Sequence, residues 1–182
     1  MISPSHTSGS PRGSTREFYG KYRGTVINNI DVKQLGRIQV MVPEISPLPL
    51  LNWALPCVPV GGAQLGIFSV PLINAGVWIE FEQGDPDYPI WTGCFYGTAA
   101  EVPNRAKEIP PGIPAITLQT VAQNSLVVTD LPGPTGGIQL RTTTGSMISV
   151  TDLGITITNG KGATISLIGN IVDINSGALT VM

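Results

Sequence analysis

Met147-Ile148-Ser149-Val150-Thr151-Asp152-Leu153-Gly154-Ile155-Thr156-Ile157-Thr158 opens the stretch that decides the fold. Apolar and polar side chains alternate, and the alternation returns as Ala163/Ile165/Leu167, Val172/Ile174 and Leu179/Val181. Strict alternation is the pattern of strands that bury one face. Glycines punctuate it at Gly154, Gly162, Gly169 and Gly177, at intervals of eight, seven and eight residues. Such a rhythm predicts a β-solenoid or an intertwined β-helix, in which each short strand is followed by a glycine corner. From Ile116 to Met182 the only charged residues are Asp130, Arg141, Asp152, Lys161 and Asp173, too few for an ordinary solvated surface. A single thin ribbon with one apolar face returns less free energy from burial than the entropy lost in ordering it. Three copies wound about a common axis bury every inward Ile, Val and Leu and pair the strand edges. The expectation is therefore a homotrimeric β-helix or β-prism over residues 117–182, with Ile148, Val150, Ile155, Ile157, Ile165, Leu167, Val172 and Ile174 as its core. A monomeric β-sandwich fits the strand count and leaves the glycine rhythm unexplained.

Upstream, residues 99–116 contain Pro103, Pro110, Pro111 and Pro114, which predicts an extended, stiff connector rather than a helix. Residues 18–98 read as short strands separated by Gly, Pro and Asn. Ile38, Val40 and Val42 share one strand face, as do Val77, Ile79 and Phe81. Further strands are expected at Tyr22–Ile30, Asn52–Val58 and Ile90–Tyr96, with Gly84-Asp85-Pro86-Asp87 as a turn. Five strands in so short a span suit a small closed barrel that leaves no long edge exposed. The whole chain is thus all-β, in keeping with its 22 glycines, 16 prolines and 12% charged residues.

Residues 1–17 have the composition of a tail, since residues 3–15 offer nothing that could offset ordering entropy. Residues 1–37 hold six basic and two acidic side chains, a balance of +4, whereas the rest hold four basic and ten acidic, a balance of −6. This asymmetry suggests an acidic partner for the N-terminal part. No apolar run reaches the length of a membrane helix and no signal-peptide core is evident, so assembly in the cytoplasm is expected. Cys57 and Cys94 are expected to be buried free thiols, and neither has metal-site spacing. The lone histidine, His6, sits in the tail, which argues against a histidine metal site or a catalytic triad. Glu80/Glu82 and Asp85/Asp87 are paired acids, yet each pair lies on a strand or in a turn, and no enzyme is expected. Trp53, Trp78, Trp91, Phe81 and Phe95 could stack bases, but residues 38–98 contain no Lys or Arg to track phosphates, so no nucleic acid is expected.

Two stretches carry a family resemblance. Leu35-Gly36-Arg37-Ile38-Gln39-Val40 and the run from Gly76 through Gly84-Asp85-Pro86-Asp87-Tyr88-Pro89-Ile90-Trp91-Thr92-Gly93 to Gly97 resemble the OB-fold domain of phage baseplate assembly protein V and of the valine-glycine repeat protein G (VgrG) of type VI secretion. The resemblance covers residues 18–98 strongly and 116–182 more loosely, through the β-helical needle of the same spikes. It implies a central spike of a contractile injection system. Three OB barrels form a collar under a hub, and the three C-terminal parts form a needle driven through a target envelope when a sheath contracts. A tail fibre or adhesin shares the trimeric logic but not the barrel motif.

The chain is too short for the hub domain fused to VgrG proteins, so a separate hub protein is implied, with Arg12, Arg16, Lys21 and Arg23 as its expected contacts. Some related spikes end in a histidine-rich, iron-binding point, whereas this chain ends in Ala178-Leu179-Thr180-Val181-Met182. No cofactor is expected. Leu179, Val181 and Met182 are instead expected to seat a tip protein of the PAAR-repeat type.

Overall fold

A computed structural model describes residues 16–181. The chain divides into two compact units, Met1–Gly97 and Thr98–Met182. The first contains β1 (Tyr22–Asn28), β2 (Gln39–Met41), β3 (Leu55–Pro56), β4 (Gly61–Gly62), β5 (Leu65–Gly66), β6 (Gly76–Phe81) and β7 (Pro89–Phe95). Five of these form one sheet in the order β2-β1-β6-β7-β3. All pair antiparallel except β3 and β7, which run parallel.

The two sheet edges meet. Ile38, just before β2, and Ala54, just before β3, exchange backbone hydrogen bonds of 3.1 and 2.8 Å. That bridge closes a five-stranded barrel. Irregular register at Val26/Asn28 in β1 and at Trp78/Ile79 between β6 and β7 adds the local bend that closure requires. Inside, Val26, Ile38, Val40, Val42, Val77 and Ile79 are fully buried, joined by Leu50, Ala54, Phe81 and Trp91. The inward faces Ile38/Val40/Val42 and Val77/Ile79/Phe81 are those that the alternation predicts. The strand expected over Asn52–Val58 shrinks to Leu55–Pro56, because prolines at 56 and 59 interrupt pairing.

Two sequence stretches that are far apart lock together on this core. The Trp91 indole N–H donates to the Gly36 carbonyl at 3.1 Å in a buried position. Gly36 has φ +74°, and a Cβ there would lie 3.1 Å from the Phe68 ring, so both backbone and space favour glycine. The loop before β2 is held by Asp31. Its carboxylate accepts backbone N–H groups of Lys33, Leu35 and Arg37, and both Nε and Nη2 of Arg37, the latter at 2.6 Å. Arg37 also lies over the Trp53 ring, 5.3 Å from its centroid.

The second unit starts with a correction. A single helical turn, α1 (Asn104–Lys107), interrupts the connector that the prolines predict as extended. Pro103 sits at its N-cap, and the prolines at 110, 111 and 114 confine it to one turn. Then follow β8 (Ala115–Gln119), β9 (Ser125–Thr129), β10 (Gly137–Arg141), β11 (Met147–Thr151), β12 (Gly154–Thr158), β13 (Thr164–Ile168), β14 (Ile171–Ile174) and β15 (Leu179–Val181). They form one eight-stranded sheet in strict chain order, every neighbour antiparallel. The repeat is therefore a meander of hairpins, which sets aside a solenoid of parallel coils. The sheet begins at Ala115, inside the segment assigned to the connector.

The Asp31 clasp gives the first prediction. Arg37 and the three amides hold the Asp31 carboxyl well below its ordinary value of 3.8. A group whose pKa falls on folding contributes stability above its unfolded value and loses it as pH drops toward the folded one. Asp31→Asn should lower the urea midpoint at pH 7, and the gap from the unaltered chain should shrink steadily below about pH 4. A gap that stays constant down to pH 2.5 would assign the effect to packing instead.

Candidate functional site

The register of the second unit aligns its aliphatic residues into two ladders. One runs Ile116, Val128, Ile138, Val150, Ile155, Leu167, Val172, Val181, each directly opposite the next. The other runs Leu118, Leu126, Leu140, Ile148, Ile157, Ile165, Ile174, Leu179. Because the ladders are two residues apart on every strand, they share one face. That face is made wholly of Ile, Leu and Val. The row between them, on the opposite face, reads Thr117, Val127, Gln139, Ser149, Thr156, Ser166, Asp173.

Burial in the single chain is inverted. Ser149, Thr129 and Val127 on the polar face are 5–7% exposed, whereas the ladder residues Ile155 and Ile116 are 37% and 64% exposed. A sheet that is complete in one chain turns its apolar face inward. Here, among the described residues of this unit, no layer covers the apolar face, and its continuous extent exceeds the scattered exposure normal for a monomer's surface.

Local chemistry fixes this register. Between β11 and β12 the Thr151 hydroxyl donates to the Gly154 carbonyl and accepts the Leu153 N–H, forming a tight turn. Gly154 has φ +149°, and a Cβ there would lie 2.2 Å from the Leu167 carbonyl oxygen, so only glycine lets β12 approach β13. The Asn159 carboxamide accepts the Lys161 and Ala163 N–H groups in the next turn, which places Ala163 in the loop rather than on the face. In the turn after β14, Asp173 accepts the Gly177 N–H at 2.7 Å. Each turn holds its hairpin in the register that keeps aliphatics on one side.

All eight residues expected as a core, Ile148, Val150, Ile155, Ile157, Ile165, Leu167, Val172 and Ile174, lie on this face. Six more were missed: Ile116, Leu118, Leu126, Val128, Ile138 and Leu140. Alternation in β8, β9 and β10 carries the same signal, but their turns lack the seven-to-eight-residue glycine spacing. Leu179 and Val181 are the last rungs of the ladders, opposite Ile174 and Val172. Met182 lies outside the described residues.

The two domains so delineated match known families. Residues 22–96 match the type VI secretion system/phage-baseplate injector OB domain, and residues 115–180 match the phage baseplate V C-terminal trimerisation domain. The chain belongs to the baseplate V family. It is a baseplate spike protein, and its aliphatic face lies within the trimerisation domain. No curated protein matches the chain. Both matched domains are structural parts of a tail or injection baseplate.

The remaining expected residues do not gather into a site in this baseplate V protein. Arg12 lies outside the described residues. Arg16 lies over the Phe18 ring at 5.3 Å. Lys21 donates to Glu80 at 2.7 Å and to Thr92 at 2.9 Å. Arg23 belongs to β1, not to a tail, and lies over Trp78 and Phe95 at 5.4 and 5.2 Å. Glu80 is thus engaged by Lys21, and Asp85 accepts the Asp87 N–H within its turn. Cys57 and Cys94 are free thiols but exposed, not buried: Cys57 lies just past the end of β3, and Cys94 lies near the end of β7, beyond the irregular register and past the buried Trp91. Among the described residues no three His, Cys, Asp or Glu are grouped to hold a metal, and no helix is long and apolar enough to cross a membrane.

A charge placed on the aliphatic face separates its role from simple folding. Ile157→Asp should convert the protein from a trimer to a monomer by light scattering, since burying an unpaired carboxylate costs several kcal/mol per copy. Thr156→Asp, one residue away on the opposite face, should leave the mass unchanged. Equal mass for both variants at micromolar concentration would show that the face is not the trimer contact.

Proposed function

We propose that this protein is the central spike subunit of a contractile tail or injection baseplate, a structural homotrimer rather than an enzyme. The observation that carries the reading is the uncovered aliphatic face inside a trimerisation domain. Three such faces turned toward one axis make a closed prism with a polar, charge-poor exterior, and each copy completes what the other two lack. The resulting needle is stiff because every strand is hydrogen-bonded to its neighbours and every inward side chain is packed. The three barrels form a collar under a hub, and sheath contraction drives the needle through a target envelope.

A separate hub protein holds the collar. Arg12 and Arg16 are its proposed contacts, since they precede the first strand in sequence, whereas Lys21 is ion-paired with Glu80 and Arg23 belongs to β1. Leu179 and Val181 are the last rungs of the ladders, on β15, whose second edge pairs with no strand among the described residues; with Met182 we assign them to a capping tip protein of the PAAR-repeat type. The chain is assembled in the cytoplasm and works as part of the particle. A nucleic-acid role has little support, because residues 38–98 carry no Lys or Arg. A tail fibre would share the prism but has no use for an injector OB barrel.

Purified protein should scatter as three times its 19.1 kDa chain mass. In assembled particles, density for three copies should lie on the tail axis beneath the hub and continue past Met182 into a cap. A folded monomer, or copies placed away from the axis, would overturn the spike reading; density ending at Met182 would remove the tip alone.

A further inference from the structure

Between β3 and β6 the barrel carries a loop whose centre is the small hairpin β4–β5. Its pairing is Gly61 with Gly66 and Gly62 with Leu65, and the pair forms a sheet of its own. An isolated two-stranded hairpin is marginal in water, and one with two residues per strand has little to hold it. Yet its side chains are apolar and exposed: Val60 49%, Leu65 68%, Ile67 61% and Phe68 69%. Only Val70 and Ala75, at the loop's return, pack against the barrel core. Phe68 reaches across to Gly36, so the hairpin continues into the loop of the neighbouring exposed Leu35. The sequence from 45 to 79 contains no Asp, Glu, Lys, Arg or His.

We infer that this hairpin is the surface through which the barrels of one trimer grip each other, its occupant being a second copy of this chain. The inference rests on the trimer reading above. Once residues 115–180 trimerise, the three barrels are tethered by connectors of fewer than 20 residues, counted from Gly97 to Ala115. Such tethering raises local concentration to the order of mM, so a contact too weak to form between free barrels is populated. An uncharged patch suits this role. It repels no copy of itself, and it offers a different protein no charge by which to be selected. The hairpin gains the cover that its two short strands lack. The barrel then adds a second, weaker clamp to the one in the C-terminal sheet.

Hydroxyl-radical footprinting of the purified full-length protein, first confirmed as a trimer by light scattering, tests this. With intrinsic reactivity taken into account, Phe68 should be oxidised several-fold more slowly than Tyr88, which is 60% exposed and outside the hairpin. The variant Leu65→Asp with Phe68→Asp should keep the trimer mass but increase the radius of gyration in small-angle scattering, as the collar loosens. Equal oxidation of Phe68 and Tyr88 in the trimer overturns the inference, and protection that arises only in the assembled particle assigns the hairpin to another protein. An unchanged radius for the double variant overturns it also. A monomeric mass overturns the spike reading and this inference with it.

Discussion

One constraint governs the C-terminal half of the chain: a sheet whose apolar face no described element of the same unit covers. Sixteen aliphatic rungs in two ladders stand on that face, and the polar row opposite is the better shielded one. Water is a poor environment for such a surface, and no rearrangement within an antiparallel meander can hide it, since a strand flipped by one residue would expose the same aliphatics on the other side. The missing layer must come from outside. On the reading proposed above, further copies within the trimerisation domain supply it, and the fold of this half and its assembly are then one equilibrium. The scarcity of charge from Ile116 to Met182 follows, because the outer face needs only enough polarity to stay soluble while hydroxyls cap the turns.

The barrel half obeys a different rule. It completes itself: the Ile38/Ala54 bridge removes the sheet edge, and Val26, Val40, Val77 and Ile79 fill the interior. Its polar side chains are engaged close to home, Asp31 with Arg37, Lys21 with Glu80, and Arg23 with two aromatic rings. These contacts change what the uneven charge of the sequence means. A count along residues 1–37 gives a basic stretch in search of an acidic partner, but the fold assigns Lys21, Arg23 and Arg37 to partners of the same chain.

Much of this architecture was legible because side-chain alternation is a direct record of strand geometry. Ile38/Val40/Val42 and Val77/Ile79/Phe81 could be assigned inward by period alone, and so could the ladder from Ile148 to Ile174. What escaped was whatever depends on pairing rather than period. The glycine rhythm fits either coiled rungs or hairpins, since both need a corner every seven or eight residues, and only the register of Ile148 with Ile157 and Ile157 with Ile165 decides for hairpins. The N-terminal rungs were missed because Thr120–Asn124 and Asp130–Gly136 make longer, less regular turns. The helical turn at Asn104–Lys107 was hidden by prolines that flank it without entering it. The exposure of Cys57 and Cys94 could not be foreseen from composition, since cysteine is among the residues most often buried.

The meander also sets the order in which the two halves fold. Every pairing in the C-terminal sheet links strands adjacent in sequence, so loop closure costs little and the hairpins can form early. The barrel needs the distant partners Ile38 with Ala54, β1 with β6 and β3 with β7, and is the slower to close. A fast-forming sheet with an open aliphatic face is an aggregation hazard for as long as it lacks its other copies. Antiparallel pairing limits that hazard, because the interior strands of the sheet have both edges paired within the chain, and among the described residues β8 and β15 alone are its edge strands. What remains exposed is a face, not a row of edges. A face made of matching aliphatic ladders meets its own copies best where they are most concentrated, which makes association with identical chains the route that both the topology and the side-chain pattern favour.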